Sequence, residues 1–408
     1  MYFDIAMPLT LFMVAIVAMF LEKKVEKKLK VALEEREFGV RDAILLVVAI
    51  SATVSLIVFI PQMAIMLMFL FAYSMLLFIF TYLFSGFRKI WAKMFCWTFL
   101  IVSFLVATLS LIKFGANSTV AYGALAFYCL FGFTFLALLH EKNRTDTGER
   151  WYLAVLPSAL FICLYVFFSE TPIWFPYLLD LYGIIFAVLI ILYLGSLFTW
   201  KTSLIFVGLL TVMDVILVLF TGSMVSAARH VSALRLPVLI SLPTLPAIVT
   251  KWGTIYMSLG LGDFFFAGLI GIQTLRKFGK GLAVLSIAMM SLSFLIFEMA
   301  ILNYGFMAFP GTLMIICGWL PVLFLGGKSE LSALWKTKGA LIYVSFMVVS
   351  FLLATFGLIN FGLKTFVGYL ANSTVVYGAL ALYCLFGIIF IAFQHRENTV
   401  YIKRVRDV

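Results

Sequence analysis

Asp214 and Asp263 are the residues of this chain whose type and setting could drive a reaction. Of its 18 acidic residues, four fall within long apolar runs: Asp180, Asp214, Asp263 and Glu298. Asp180 and Glu298 lie about one turn from the ends of their runs and are expected to reach water there. Asp214 and Asp263 lie deep, where an ionised carboxyl is costly, so each is read first as functional. Two carboxyls brought together in a low-dielectric site cannot both ionise, and they come to share one proton. One can then take a proton from water while the other donates to a carbonyl oxygen. That pairing splits an amide with neither a metal nor a covalent intermediate. The string Ser258-Leu259-Gly260-Leu261-Gly262-Asp263 adds a local sign, because glycines ahead of the second aspartate let another backbone come close.

The elements that must position these residues are membrane helices. The chain of 408 residues is 64% hydrophobic and only 12% charged, with a mean hydropathy of +1.16. A soluble fold would carry about 25% charged residues. Apolar runs here reach the roughly 20 residues that cross a bilayer as helix, and lipid forces such runs to satisfy their backbone internally. The fold class expected is therefore an all-α polytopic membrane protein. Thirteen spans are expected, at 3–21, 42–60, 63–84, 94–113, 119–139, 151–169, 175–198, 202–222, 254–275, 281–303, 311–327, 339–361 and 375–394. The net charge of +11 does not point to nucleic acid, because Lys and Arg sit in short loops between spans. All but five of the 29 fall on one side, taken as the cytoplasm; the exceptions are Lys113, Arg229, Arg235, Lys251 and Lys364. The N-terminus is then outside and the C-terminus cytoplasmic, in a protein expected in the cell membrane. The lysine-glutamate stretch 22–37 reads as a cytoplasmic amphipathic helix, and the four basic and His residues of the 223–253 loop as contacts to lipid headgroups.

Depth along these helices brings the aspartates together. Asp214 lies eight residues before the outer end of its span and Asp263 nine residues after the outer start of the next. At 1.5 Å per residue those depths are about 12 Å and about 13.5 Å. The spans are sequential and antiparallel, so both carboxyls fall at one level.

An internal repeat organises the rest. Residues 116–143 return at 371–398 with 19 of 28 positions identical, and 102–115 match 349–362 at 10 of 14. Two copies of one helical hairpin are thus present in the same orientation, and nine spans remain once they are set aside. The expected organisation is N-terminal membrane helices over 1–93, a first hairpin copy over 94–143 and core helices over 151–201. Catalytic helices over 202–327, a second hairpin copy over 339–398 and a tail over 399–408 complete it. Between the aspartates, Pro237-Val238-Leu239-Ile240-Ser241-Leu242-Pro243 is apolar, bounded by prolines and too short to span. An extended segment there would offer N–H and C=O groups to an unwound substrate as an added strand. A helical substrate needs such unwinding, since its own backbone groups are engaged.

Residues 202–327 resemble the catalytic half of the presenilin and signal peptide peptidase family of intramembrane aspartyl proteases. The match rests on Asp214 as first aspartate and on Gly260-Leu261-Gly262-Asp263 for the family's Gly-x-Gly-Asp. The segment 237–243 resembles the proline-bounded strand before the second catalytic helix, and Phe309-Pro310-Gly311-Thr312-Leu313 stands where the family has Pro-Ala-Leu. The family's nine helices equal the nine spans left here. Met213 stands where the family usually has tyrosine, and Gly311-Thr312 replaces Ala-Leu. The resemblance implies hydrolysis of peptide bonds within transmembrane helices or signal-peptide remnants, with the orientation of the signal peptide peptidase branch. Implied partners are transmembrane substrates and the lipid bilayer, with no metal, cofactor or nucleic acid; the oligomeric state stays open.

The alternative is a secondary transporter binding protons or cations at the two aspartates. Transporter repeats usually cover whole halves and build the site at their interface, whereas this repeat excludes both aspartates. His140, His230 and His395 all lie in loops or at span ends, and the chain has no His-Glu-x-x-His, which argues against zinc or serine-histidine mechanisms.

Overall fold

Long apolar runs without backbone partners must coil, and most of the described residues do so. The computed structural model describes residues 2–32, 37–85, 87–114, 118–143, 150–250, 253–304 and 308–326. The second hairpin copy (339–398), the tail (399–408) and with them the last two of the thirteen expected spans lie outside the described residues. The helices are α1 (Ala6–Ala32), α2 (Val40–Phe59), α3 (Met63–Ser85), α4 (Lys89–Phe114), α5 (Ser118–Asn143) and α6 (Val155–Phe168). They continue as α7 (Leu179–Leu197), α8 (Trp200–Val215), α9 (Ser223–Ala233), α10 (Leu261–Phe278), α11 (Lys280–Tyr304) and α12 (Gly311–Gly326). Among the described residues six stretches are long and apolar enough to cross a membrane: Val40–Phe59, Lys89–Ile112, Ala121–Asn143, Trp174–Leu197, Trp200–Phe220 and Lys280–Tyr304. Ala6–Glu22, Tyr152–Phe168 and Gly311–Leu323 are apolar but shorter. The chain is a helical integral membrane protein.

α10 is the central element. Phe264, Phe266, Leu269 and Ile272 are each 0% exposed, and the helix packs against α1, α7, α8, α11 and α12. Glycines set how closely it can be approached: Gly268 receives Ile191 of α7, and a Cβ on Gly271 would lie 2.9 Å from Ile287 of α11. At Gly318 a Cβ would strike the Met289 carbonyl, so α12 and α11 meet backbone to backbone. Polar ties close the far end of α10. Gln273 donates to the Phe198 carbonyl at 2.8 Å, and Arg276 pairs with Glu22 of α1 at 2.6 Å. α8 begins on a reciprocal cap, with Thr199 and Thr202 satisfying each other's backbone N–H.

Residues 254–275 are not one helix. β4 (Tyr256–Gly260) precedes α10 and pairs antiparallel with β1 (Leu239–Pro243), in the register Leu239↔Gly260 to Pro243↔Tyr256. A second, shorter ladder joins β2 (Val249–Thr250) to β3 (Gly253–Thr254). A short apolar stretch with Thr, Tyr and Gly fits a half-buried strand as well as a helix end, and here the Pro-bounded partner decides it. The 223–253 connection is likewise more ordered than a loop. It opens with α9, which carries Arg229 and His230. Arg235 donates to the Ser169 carbonyl at 2.8 Å and pairs with Glu170 at 3.4 Å, while Lys251 lies outside the described residues.

The expectation that Asp180 and Glu298 reach water also fails. They are 7% and 1% exposed, because elements packed against their helices, β1 at Asp180 and α1 against α11, cover positions that depth along one helix would leave near the surface.

The first hairpin copy, α4 and α5, is clipped to the core by a buried ion pair. Arg150 Nε donates to both Glu141 oxygens at 3.0 Å, its Nη1 bonds the Phe87 carbonyl at 2.5 Å, and the Tyr152 hydroxyl also bonds Glu141. Arg150 and Glu141 are both 0% exposed. Removing one partner strands the other charge, so Arg150→Ala is expected to cost about 3–5 kcal/mol of stability. The readout is Tm in detergent, with Arg150→Ala/Glu141→Gln recovering part of the loss. An unchanged Tm in the single variant would contradict the pair's burial.

Candidate active site

Asp214 is the penultimate residue of α8, two residues before the helix widens into the π-turn Ile216–Phe220. It is 7% exposed. Its Oδ2 accepts two hydrogen bonds from one residue, the backbone N–H of Thr312 at 3.1 Å and the Thr312 hydroxyl at 2.7 Å. Thr312 is the second residue of α12, so Asp214 faces the positive end of that helix with one of its unpaired N–H groups.

Asp263 sits in the first turn of α10 and not deep within a helix. The strand-to-helix junction at Gly260 makes this possible. Gly260 is the cap residue, and its N–H donates back to the Asp263 carboxyl three positions on. On the far side lies Gly311, where a Cβ would stand 2.5 Å from Asp263 Oδ1 and 2.7 Å from its Cγ. The consecutive residues Gly311 and Thr312 therefore abut both carboxyls, one by making room and one by donating. The two carboxyls are within electrostatic reach of each other.

The other members of the expected site fall around this centre. Pro310 is buried and its carbonyl opens α12 by accepting from the Met314 N–H at 3.2 Å. Leu261 is 8% exposed and packs into the core, its N–H bonded to the Val238 carbonyl at 3.0 Å. Gly260 and Gly262 play different parts. A Cβ on Gly260 would lie 3.4 Å from Asp263 Oδ2, whereas one on Gly262 would meet nothing within 4 Å among the described residues. The ground beside Asp263 at Gly262 is open.

The chain matches no protein-family model and no curated protein. Function must then be argued from this geometry.

The segment 237–243 is extended, as expected, but its backbone is largely engaged. Val238 bonds to Leu261 and Thr244 to Ile255, so the even-numbered residues of β1 face β4. Ser241 points the other way, and its N–H donates to Asp180 Oδ1 at 2.7 Å. Ile240 is 0% exposed, closed in by Gly183 of α7. Among the described residues the sheet is two-stranded; the outer edge of β1 faces α7 through Ser241, and the outer edge of β4, where Tyr256 and Ser258 turn their backbone groups away from β1, carries no strand.

Sequence reasoning missed three residues that shape the site. Thr312 was visible only as a departure from an apolar motif, and a hydroxyl at a helix N-terminus facing a deep aspartate was the available signal. Asp180 reads from sequence as an acid near water, although a single acid at the start of a helix can equally hold a strand. Ser258, whose hydroxyl bonds that of Ser241 at 2.7 Å, gave no signal beyond its place before the glycines.

Proposed function

We propose that this protein is an intramembrane aspartyl protease, related to presenilin and signal peptide peptidase, that hydrolyses peptide bonds within membrane-spanning helices or signal-peptide remnants. The observation that carries the reading is the contact of one dipeptide, Gly311-Thr312, with both aspartates, which gathers α8, α10 and α12 at one point. The two hydrogen bonds from Thr312 suit an ionised Asp214, leaving the shared proton to Asp263. Asp214 then takes a proton from the attacking water while Asp263 donates to the scissile carbonyl. When the tetrahedral gem-diol collapses, the C–N bond breaks, the proton on Asp214 passes to the leaving amine, and one hydroxyl returns its proton to Asp263, which restores the starting state of the pair.

The substrate strand is better placed on β4 than on β1. An unwound segment laid along Tyr256 and Ser258 would gain ladder hydrogen bonds and run toward Asp263 past the open space at Gly262. Pro237 to Pro243 then act as the backing strand of that platform. With the N-terminus outside the cell membrane and the C-terminus cytoplasmic, as the distribution of Lys and Arg implies, this platform lies near the outer face. Substrates would be single-span helices with cytoplasmic N-termini.

The test is incubation of purified protein with a single-span peptide, with and without a hydroxyl-bearing transition-state inhibitor of aspartyl proteases, read by mass spectrometry. Defined fragments suppressed by the inhibitor are expected. Intact peptide, together with proton- or cation-driven uptake into vesicles holding the protein, would replace this reading by transport.

A further inference from the structure

We propose that α7 determines which peptide bond is cut, with Asp180 and Gly183 as positioning residues for the catalytic strand pair; this rests on the protease reading above. Asp180 lies in the first turn of α7, 7% exposed, and fixes Ser241 through the 2.7 Å hydrogen bond to its N–H. Gly183 lies one turn on, on the same face. A Cβ there would stand 2.7 Å from Ile240 Cγ1 and 3.8 Å from the Pro237 carbonyl, so the missing side chain is the socket for Ile240. Two neighbouring residues of β1 are thus registered on α7 by different means, one by a hydrogen bond and one by shape.

That register passes to the reacting groups along a short covalent path. β1 is locked to β4 by the backbone ladder and by the Ser241–Ser258 hydroxyl bond at 2.7 Å. β4 runs directly through Gly260 into α10, and Asp263 is the third residue of that helix. A substrate strand added to β4 takes its position along the strand from β4 itself. Sheet register changes in steps of two residues if the same faces are kept. A hairpin released from α7 can shift about the Gly260 junction relative to Asp263 and so present bonds displaced from the original one, while both aspartates stay intact. Asp180 touches neither water nor substrate in this scheme; it acts through Ser241.

The test uses the full chain and a single-span peptide, with each scissile bond located by fragment mass. Asp180→Ala and Gly183→Ala are expected to move the principal cut or to change the ratio of neighbouring cuts by about tenfold or more. Asp180→Asn keeps an acceptor oxygen for the Ser241 N–H and is expected to retain the wild-type bond. Gly183→Ala removes no hydrogen-bonding group, so it tests the socket for Ile240 separately from the loss of the Asp180 carboxylate. Unchanged cut positions in both alanine variants would overturn the proposal, as would loss of all product from both. A wild-type protein that yields no fragments would overturn the protease reading first, and this inference with it.

Discussion

Asp214→Asn and Asp263→Asn, each alone, are expected to lower cleavage of a single-span peptide by about a thousandfold or more, with abundance and Tm close to wild type. The two carboxyls perform complementary proton transfers, and each such transfer is worth about 10²–10⁴-fold. Neither can stand in for the other once the shared proton has no second holder. Folding is expected to survive because asparagine keeps the shape of each site. The Asn oxygen at 214 can still accept from Thr312, and that at 263 can still accept from the Gly260 N–H. Effects that act as a unit do not add, so the double variant is expected to be no slower than either single one. Cleavage at wild-type bonds within about tenfold of the wild-type rate in both single variants would remove the pair from the mechanism. Vesicle uptake abolished by the same substitutions, in protein that never cleaves, would point to the transporter alternative.

Gly311→Val is expected to lose about 10²-fold in kcat while leaving KM and Tm little changed. A Cβ at this position would lie 2.5 Å, 2.7 Å and 3.0 Å from Asp263 Oδ1, Cγ and Oδ2, well inside ordinary contact distances. The Asp263 side chain is the part free to yield, since Gly311 belongs to the helical start of α12. A displacement of about 1 Å at a reacting group is enough for a loss of that size. Gly311 does not carry a positive φ, so the backbone accepts a side chain without strain. The separation of activity from stability is the informative result. A valine variant as active as wild type would show that Asp263 works from another position than the one Gly311 shapes. A variant that loses Tm in proportion to activity would show general disruption instead.

Much of this site was legible because its logic lies in residue type. Deep carboxyls in an apolar chain, glycines before one of them and a proline-bounded strand between them are visible in the sequence. Relations across distant segments were not. Asp214 and Thr312 meet across 98 positions, and a threonine that completes a carboxylate's hydrogen bonds reads in isolation as a broken motif. Hydropathy also merged β4 with α10. A short apolar stretch has no periodicity of its own to separate strand from helix, so Asp263 was expected nine residues into a helix and is found in its first turn. The covering of Asp180 and Glu298 depends on neighbours in space, which position along one span cannot supply. The helical membrane character, by contrast, depends only on composition and run length, and it followed directly.

The buried clip between Glu141 and Arg150 bears on the duplicated hairpin. The second copy aligns His395-Arg396 with His140-Glu141, so a cation stands where the first copy carries the anion that grips Arg150. The two copies are therefore not interchangeable parts. Grafting 371–398 in place of 116–143 would set Arg396 against Arg150 in an enclosed pocket, two like charges with no acid between them. The repeat keeps the apolar sequence of the hairpin and changes the residue that in the first copy grips Arg150, so the likeness between the copies ends at the point of attachment.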